Sequence, residues 1–141
     1  MSRQLLFVDS SVILSFINFP QSNSASVIRL IIQKRFQGLV SEKVLEEVKR
    51  IITEKNGERE AFATMQLIRH NFKIASAKEA EPELEKWRGR IKEKDLEHLA
   101  CAKLFKAKII AFDRDFQPFP EYLTPKKFLE SIGEKTSETE Y

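Results

Sequence analysis

Two aspartates follow short apolar segments of the chain in the same way. Asp9 ends the run Leu6-Phe7-Val8-Asp9, and Asp113 ends the run Ile110-Ala111-Phe112-Asp113. If both runs are neighbouring strands of a parallel sheet, their carboxyl ends meet at one edge, where such sheets bind ligands. We therefore expect the two carboxylates to face one pocket.

Further acids are expected near the same edge. Glu46 and Glu47 lie on a helix after the second predicted strand, Asp95 begins the helix that leads to Asp113, and Asp115 follows on the loop. Carboxylates about 4 Å apart repel by about 4 kcal/mol at an effective dielectric of 20. Such a cluster therefore needs a shared proton or a bound cation. Oxygen ligands without thiolates suit Mg²⁺ or Mn²⁺.

A simpler alternative exists for the two strand-end acids. Aspartate is a favoured helix N-cap, and a carboxylate is stabilised at a helix N-terminus. Asp9 and Asp113 could therefore merely cap the helices that follow them. The spacing alone leaves both interpretations open.

The composition limits the class of protein. The 141 residues suffice for one domain, and 42% hydrophobic with 32% charged residues is typical of a globular chain. No apolar run approaches the roughly 20 residues of a membrane helix, so we expect neither a membrane anchor nor a signal peptide. The single cysteine, Cys101, excludes an internal disulfide and fits a reducing cytoplasm. The net charge of +3 permits a polyanionic partner without requiring one.

Short apolar strands alternate with helical patterns along the chain. Strands are predicted at residues 5–8, 38–40, 72–75, 109–112 and 122–123, and helices after Ser22, after Ser41, over 61–68, over 96–104 and after Thr124-Pro125. Buried strands separated by helices are typical of a parallel sheet covered on both faces. We predict a single α/β domain, a three-layer α/β/α sandwich.

Several motifs together resemble the PIN-domain family of nucleases, which includes the VapC-type toxins of toxin–antitoxin pairs. They occur in family order from Leu5 to about Ile132. The matching segments are Leu6-Phe7-Val8-Asp9-Ser10-Ser11-Val12, Leu39-Val40-Ser41 with Val44-Leu45-Glu46-Glu47-Val48, Asp95 with His98-Leu99-Ala100 and Ala102, the run from Ile109 to Phe116, and Leu123-Thr124-Pro125 with Phe128-Leu129.

The resemblance implies a five-stranded parallel sheet and a Mg²⁺ or Mn²⁺ site. Its metal-binding and catalytic acids would be Asp9, Glu47, Asp95 and Asp113. Glu47 is chosen over Glu46 because the family glutamate follows the pattern Ser-x-x-apolar-apolar-x-Glu-apolar. The chain departs from the family at Ala111, where many members carry Thr or Ser, and this loses a hydroxyl beside the metal site.

Other polar residues are assigned to the surroundings of these acids. Ser10, Ser11, Asp115 and His98 are expected to support them; His98 could hydrogen-bond a carboxylate or assist proton transfer, or be a structural partner. Cations that could hold a phosphate backbone are Arg88, Arg90, Lys92, Lys94 and Arg114. The alternative for the basic run before Asp95 is a solvated face.

The resemblance implies a metal-dependent endoribonuclease that acts on RNA, as the toxin of a toxin–antitoxin pair or in RNA processing. A non-catalytic RNA-binding module is the alternative. An aspartyl-phosphate phosphotransferase is disfavoured, because Ser11 stands where that class needs a second aspartate. The apolar segment with Phe16 and Phe19 predicts an interface, either a homodimer or an antitoxin contact, unless it is core. The nuclease domain is predicted over 1–132, with a polar, disordered tail over 133–141.

Overall fold

The computed structural model describes residues 3–138 and 140. Five strands form one parallel sheet in the order β3-β2-β1-β4-β5, which confirms the predicted fold class. The strands are β1 Leu5–Val8, β2 Gln37–Ser41, β3 Phe72–Ala75, β4 Lys108–Ile110 and β5 Tyr122–Leu123. The helices are α1 Ser10–Asn18, α2 Asn23–Ile32, α3 Glu42–Asn56, α4 Glu58–Asn71, α5 Glu81–Trp87, α6 Glu93–Leu104 and α7 Pro125–Ser131, with a 3₁₀ turn over Arg114–Phe116.

Strand β1 lies at the centre of the sheet. Phe7 is fully buried and pairs with Leu39 on β2 and with Ile109 on β4. Both faces of this strand are covered, which is why its sequence is an uninterrupted apolar run rather than an alternating one. The sheet core therefore has the composition that the sequence predicts.

The strand order places a crevice beside Asp9. The chain runs outward from β1 through β2 to β3, then crosses back and adds β4 and β5 on the other side of β1. The order thus reverses between β1 and β4, and ligands of open parallel sheets bind beyond the carboxyl ends at such a point. The Asp9 N–H donates to the carbonyl of Ile110 at 3.1 Å, so β1 and β4 stay joined up to this edge.

Hydroxyl side chains cap the N-termini of three helices, as the sequence predicts. Ser22, Ser41 and Thr124 accept hydrogen bonds from the backbone N–H groups of Ala25, Val44 and Lys127, respectively. Each bond satisfies an N–H that the first turn of a helix leaves without a partner. Because Ser41 is also the last residue of β2, its cap fixes where α3 leaves the sheet edge.

Near Asp113, two local features differ from the predicted elements. Strand β4 ends at Ile110 rather than at residue 112, although the N–H of Ala111 still donates to Leu123 at 3.2 Å. A 3₁₀ turn over Arg114–Phe116 follows, and three residues are too few for a periodic pattern in the sequence. Cys101 lies in the core, and burial raises the pKa of its thiol to about 12.

Part of the predicted tail contacts the domain. The Ser24 N–H donates to the Glu140 carboxylate at 2.6 Å, and the Ser137 N–H donates to the Asn23 side chain at 2.7 Å. Thr139 and Tyr141 of this tail lie outside the described residues. The domain boundary and the disorder of the tail stay predictions. Among the described residues, no helix has the length and apolar character needed to cross a membrane.

Candidate active site

Three carboxylates converge at the edge of the sheet beside β4. Asp95 lies in the first turn of α6, Asp113 follows β4, and Asp115 lies in the 3₁₀ turn. One carboxylate oxygen from each lies within 4.8 Å of the others. Asp113 also accepts a hydrogen bond from the N–H of Asp115 at 2.9 Å, so it does cap its turn while facing the cluster.

Asp95 is the most deeply buried acid of this cluster. It is 7% exposed, and its Oδ2 is buried without a hydrogen-bond partner among the described residues. Burial raises the pKa of Asp95, and the negative charge of Asp113 raises it further. A buried carboxylate oxygen without a donor is costly unless a proton or a cation meets it. The cluster therefore fits a hard divalent cation, which prefers oxygen ligands.

Asp9 and Glu47 meet at the ring of His98. The His98 Nε2 lies 3.8 Å from Asp9 Oδ1 and 3.6 Å from Glu47 Oε1. Burial raises the pKa of Asp9, with further upward contributions from Glu47 and Asp113 that His98 opposes. The contact with His98, by contrast, holds the pKa of Glu47 below its usual range. Asp9 is thus electrostatically coupled to Asp113 and Asp95, whereas Glu47 is coupled to Asp9 and His98.

His98 is itself held from its other side. The ring is 3% exposed, and its Nδ1 lies 3.1 Å from Ser41 Oγ. That oxygen already accepts the Val44 N–H, so the hydroxyl hydrogen is free to donate to Nδ1. In this arrangement Nε2 carries the hydrogen that faces Asp9 and Glu47. The bond fixes the ring orientation in the way that outer partners orient metal ligands.

The two serines after β1 contact the acids. Ser10 Oγ donates to Glu47 Oε2 at 3.3 Å, and Ser11 Oγ lies 3.5 Å from Asp9 Oδ2. Asp9 occupies the N-cap position of α1 but makes no side-chain capping hydrogen bond. The capping alternative therefore describes Asp113 and not Asp9.

Most of the predicted phosphate-binding cations already have partners within the protein. Arg88 pairs with Glu93 and with Glu85, Lys92 lies 3.0 Å from Asp115, and the Arg90 guanidinium lies 5.0 Å from the Trp87 ring centre. In the described part of the chain, Lys94 and Arg114 have no ion pair. Arg90 has no ion pair in that part of the chain either, so Lys94, Arg114 and Arg90 are the predicted cations without a carboxylate partner there.

The fold and the site together define the class of this protein. It is an α/β/α sandwich with an acidic crevice at the point where the strand order reverses. A sequence model of the PIN domain matches residues 6–121. The chain belongs to the PIN domain family, which confirms the resemblance. A comparison with curated protein sequences finds no match.

Solved structures share this fold at low sequence identity. A toxin–antitoxin complex from Klebsiella pneumoniae is 17% identical, with a TM-score of 0.68 over 85% of this chain and 97% of the other. VapC20 from Mycobacterium tuberculosis, a sarcin–ricin loop-cleaving toxin, is 21% identical, with a TM-score of 0.61 over 82% and 95%. VapBC2 from Rickettsia felis, bound to a DNA fragment from its promoter, is 13% identical, with a TM-score of 0.68 over 86% and 97%.

Proposed function

We propose that this protein is a metal-dependent endoribonuclease that hydrolyses phosphodiester bonds in RNA. The observation that carries the proposal is the buried, unpartnered oxygen of Asp95 beside Asp113, in a chain of the PIN domain family. A buried carboxylate oxygen without a donor beside further acids favours a bound cation, and a divalent cation can activate water and offset phosphate charge in the hydrolysis of a phosphodiester. The cluster lies where parallel sheets bind their ligands.

The residues that would hold Mg²⁺ or Mn²⁺ are those that the sequence predicts, with one addition. Asp9, Glu47, Asp95 and Asp113 are the proposed ligands, and Asp115 joins them because its carboxylate lies in the same cluster. An ion bound by these residues would lower the pKa of a water molecule and offset the charge of the phosphate. Oxygen-only ligation favours these two ions over zinc.

The protein groups have distinct roles in this proposal. Asp95, whose pKa is raised by burial, accepts the proton of the attacking water or orients that water. His98, held by Ser41, keeps Asp9 and Glu47 in place. Lys94 and Arg114 attract the RNA backbone, because no carboxylate in the described residues pairs with them.

Structural similarity to toxin–antitoxin complexes favours a toxin role with a protein antitoxin as partner. We place the antitoxin contact on the apolar surface between α1 and α2, where Phe19 is 65% exposed and Phe16 is half-buried. A homodimer through this surface is the alternative partner. The reduced, buried Cys101 is compatible with action in the cytoplasm.

Cleavage of a total RNA pool tests the proposal. Purified protein with Mg²⁺ or Mn²⁺ should cut RNA, and EDTA should abolish the cleavage. Asp9→Asn and Asp113→Asn should each lower the rate by orders of magnitude, because each removes a ligand for the ion. If folded protein binds the metal and the pool but leaves every RNA intact, the non-catalytic RNA-binding module is correct instead.

A further inference from the structure

A cavity of about 550 Å³ opens beside the acidic cluster, at the ends of β4 and β5. Phe112 and Tyr122 line it with half-exposed aromatic rings. Asp113 of the cluster lies in the chain between Phe112 and Arg114, two residues that line the cavity. Its charge also reaches Tyr122, where burial raises the pKa of the phenol and the carboxylate of Asp113 raises it further.

The aromatic wall is rigidly supported from behind. The Tyr122 ring stacks on Phe116, with ring centres 6.4 Å apart and an interplanar angle of 30°. Phe116 is fully buried, and the Tyr122 N–H bonds to the backbone of the loop before it, at Phe119, at 3.2 Å. A ring fixed in this way loses little conformational freedom when a planar ligand stacks on it.

Two cations stand at the rim of the cavity. Arg114 and Lys127 both line it and are exposed. Within residues 3–138 and 140, neither forms an ion pair, whereas Arg88 and Lys92 do. Aromatic faces between free cations are the combination by which proteins bind single-stranded nucleic acid: the rings stack on bases and the cations hold phosphates.

We propose that this cavity is a nucleobase subsite of the RNA-binding groove, in which a base next to the cleaved phosphate stacks on Phe112 and Tyr122. Arg114 and Lys127 hold the flanking phosphates. The proposal rests on the proposed nuclease function, because it places the base next to the phosphate that the acidic cluster would cleave. The subsite predicts a preference for unpaired RNA, since a base stacked within an RNA helix cannot enter the cavity.

Trp87 is the other aromatic side chain that could stack on a base, and its surroundings disfavour that role. The Lys103 ammonium lies 4.5 Å from the ring centre and Arg90 lies 5.0 Å from it. Its ring also packs edge-on against Phe119, and its Nε1 donates to Glu83 at 2.8 Å. The protein therefore already uses the faces and the edge of this ring.

Removing single bases from the RNA tests the subsite without altering the protein. A labelled single-stranded RNA of about six nucleotides is bound in EDTA, and affinity is measured by fluorescence anisotropy for versions with one abasic nucleotide at each position. One position should weaken binding by about five- to a hundredfold, the range of base–aromatic stacking. Equal affinities for all the abasic RNAs would overturn the proposal.

Protein variants then locate the effect in the cavity. Phe112→Leu and Tyr122→Leu should each weaken the binding of intact RNA. In each variant, removing the base at the sensitive position should lower the affinity by less than about twofold. Phe62→Leu is the matched control, since Phe62 is 68% exposed on α4 and lies outside the cavity. Lys127→Gln should weaken the binding of intact and abasic RNA by the same factor, because Lys127 holds a phosphate, whereas Lys126→Gln, outside the cavity lining, should leave both affinities unchanged. An abasic penalty that persists in both Phe112→Leu and Tyr122→Leu contradicts the assignment.

The outcome separates this proposal from the nuclease proposal. If the protein cleaves RNA with Mn²⁺ but shows no abasic-sensitive position, only the subsite is wrong. If the abasic penalty depends on Phe112 and Tyr122 while no RNA is cleaved under any metal condition, the subsite stands and the nuclease proposal fails.

Discussion

Replacing Asp95 by Asn should stabilise the metal-free protein. In wild type at pH 7 the Asp95 carboxylate is 7% exposed, carries an oxygen that no donor among the described residues meets, and faces two other acids within 4.8 Å. Asn keeps the shape of the side chain, removes the charge, and adds an N–H₂ that can donate to Asp113. The substitution should therefore raise the free energy of unfolding when EDTA is present.

The magnitude follows from the separation of the charges. Two unit charges 4.8 Å apart repel by about 3 kcal/mol at an effective dielectric of 20. The Lys92 ammonium, 3.0 Å from Asp115, offsets part of this repulsion, and solvent around the partly exposed Asp113 and Asp115 screens more of it. About 1–2 kcal/mol should remain, which corresponds to a rise in Tm of about 3–10 °C for a domain of this size.

The stabilisation should depend on pH in a defined direction. Because the pKa of Asp95 is raised in the folded protein, protonation favours the folded state. The wild-type protein therefore recovers the lost stability as pH falls through this raised pKa, and the recovery is complete below the unfolded-state pKa. The advantage of Asp95→Asn should be full at pH 7 and should vanish at acidic pH, where both side chains are neutral.

Thermal unfolding followed by circular dichroism measures this effect, with and without Mn²⁺. In excess metal the order should invert, since a ligand at a hundred times its Kd stabilises wild type by about 2.7 kcal/mol and the variant has lost a ligand. Glu46→Gln is the control, because Glu46 is an exposed acid on α3 and its replacement should leave Tm unchanged. A Tm for Asp95→Asn that is unchanged or lower in EDTA at pH 7 would refute the reasoning.

Two further outcomes are expected. Glu47→Gln should abolish cleavage while Glu46→Gln leaves the initial rate close to that of wild type, because Glu47 contacts Ser10 and lies 3.6 Å from His98; the reverse result would show that the wrong glutamate faces the site. Arg114→Gln should lower the slope of log Kd against log salt for RNA binding by about one. Arg88→Gln should leave this slope unchanged, because Arg88 is paired with Glu85 and Glu93. Equal slopes for the two variants would contradict the assignment of Arg114 as a charge open to RNA.

The sequence predicted the parts of the fold that depend on local pattern. Strand β1 spans the residues that its apolar run indicates, and Ser41 caps α3 as expected. The contact between Ser41 and His98 was not predicted, since it joins residues 57 positions apart and depends on how α6 packs against β2. Only the folded structure shows that the Ser41 hydroxyl both caps α3 and contacts His98.

The surroundings of the acids were harder to predict than the acids. A basic run next to Asp95 suggested phosphate contacts, but Arg88 lies three residues from Glu85 on one helical face and pairs with it. The cavity at Phe112 and Tyr122 has no local signature, because one wall comes from the loop after β4 and the other from β5, which the sheet brings together. The tertiary structure, rather than the local sequence pattern, determines which charged side chains and aromatic rings remain accessible to a ligand.

The central claim is that the acidic crevice hydrolyses RNA with a divalent ion and water as the nucleophile. Cleavage of RNA in ¹⁸O-labelled water, followed by mass spectrometry of the products, tests this claim most directly. With Mn²⁺ the wild-type protein should give products that carry one ¹⁸O on the terminal phosphate, and Asp113→Asn or added EDTA should give none. Products that end in a 2′,3′-cyclic phosphate without ¹⁸O, or cleavage that persists in EDTA, would contradict the account.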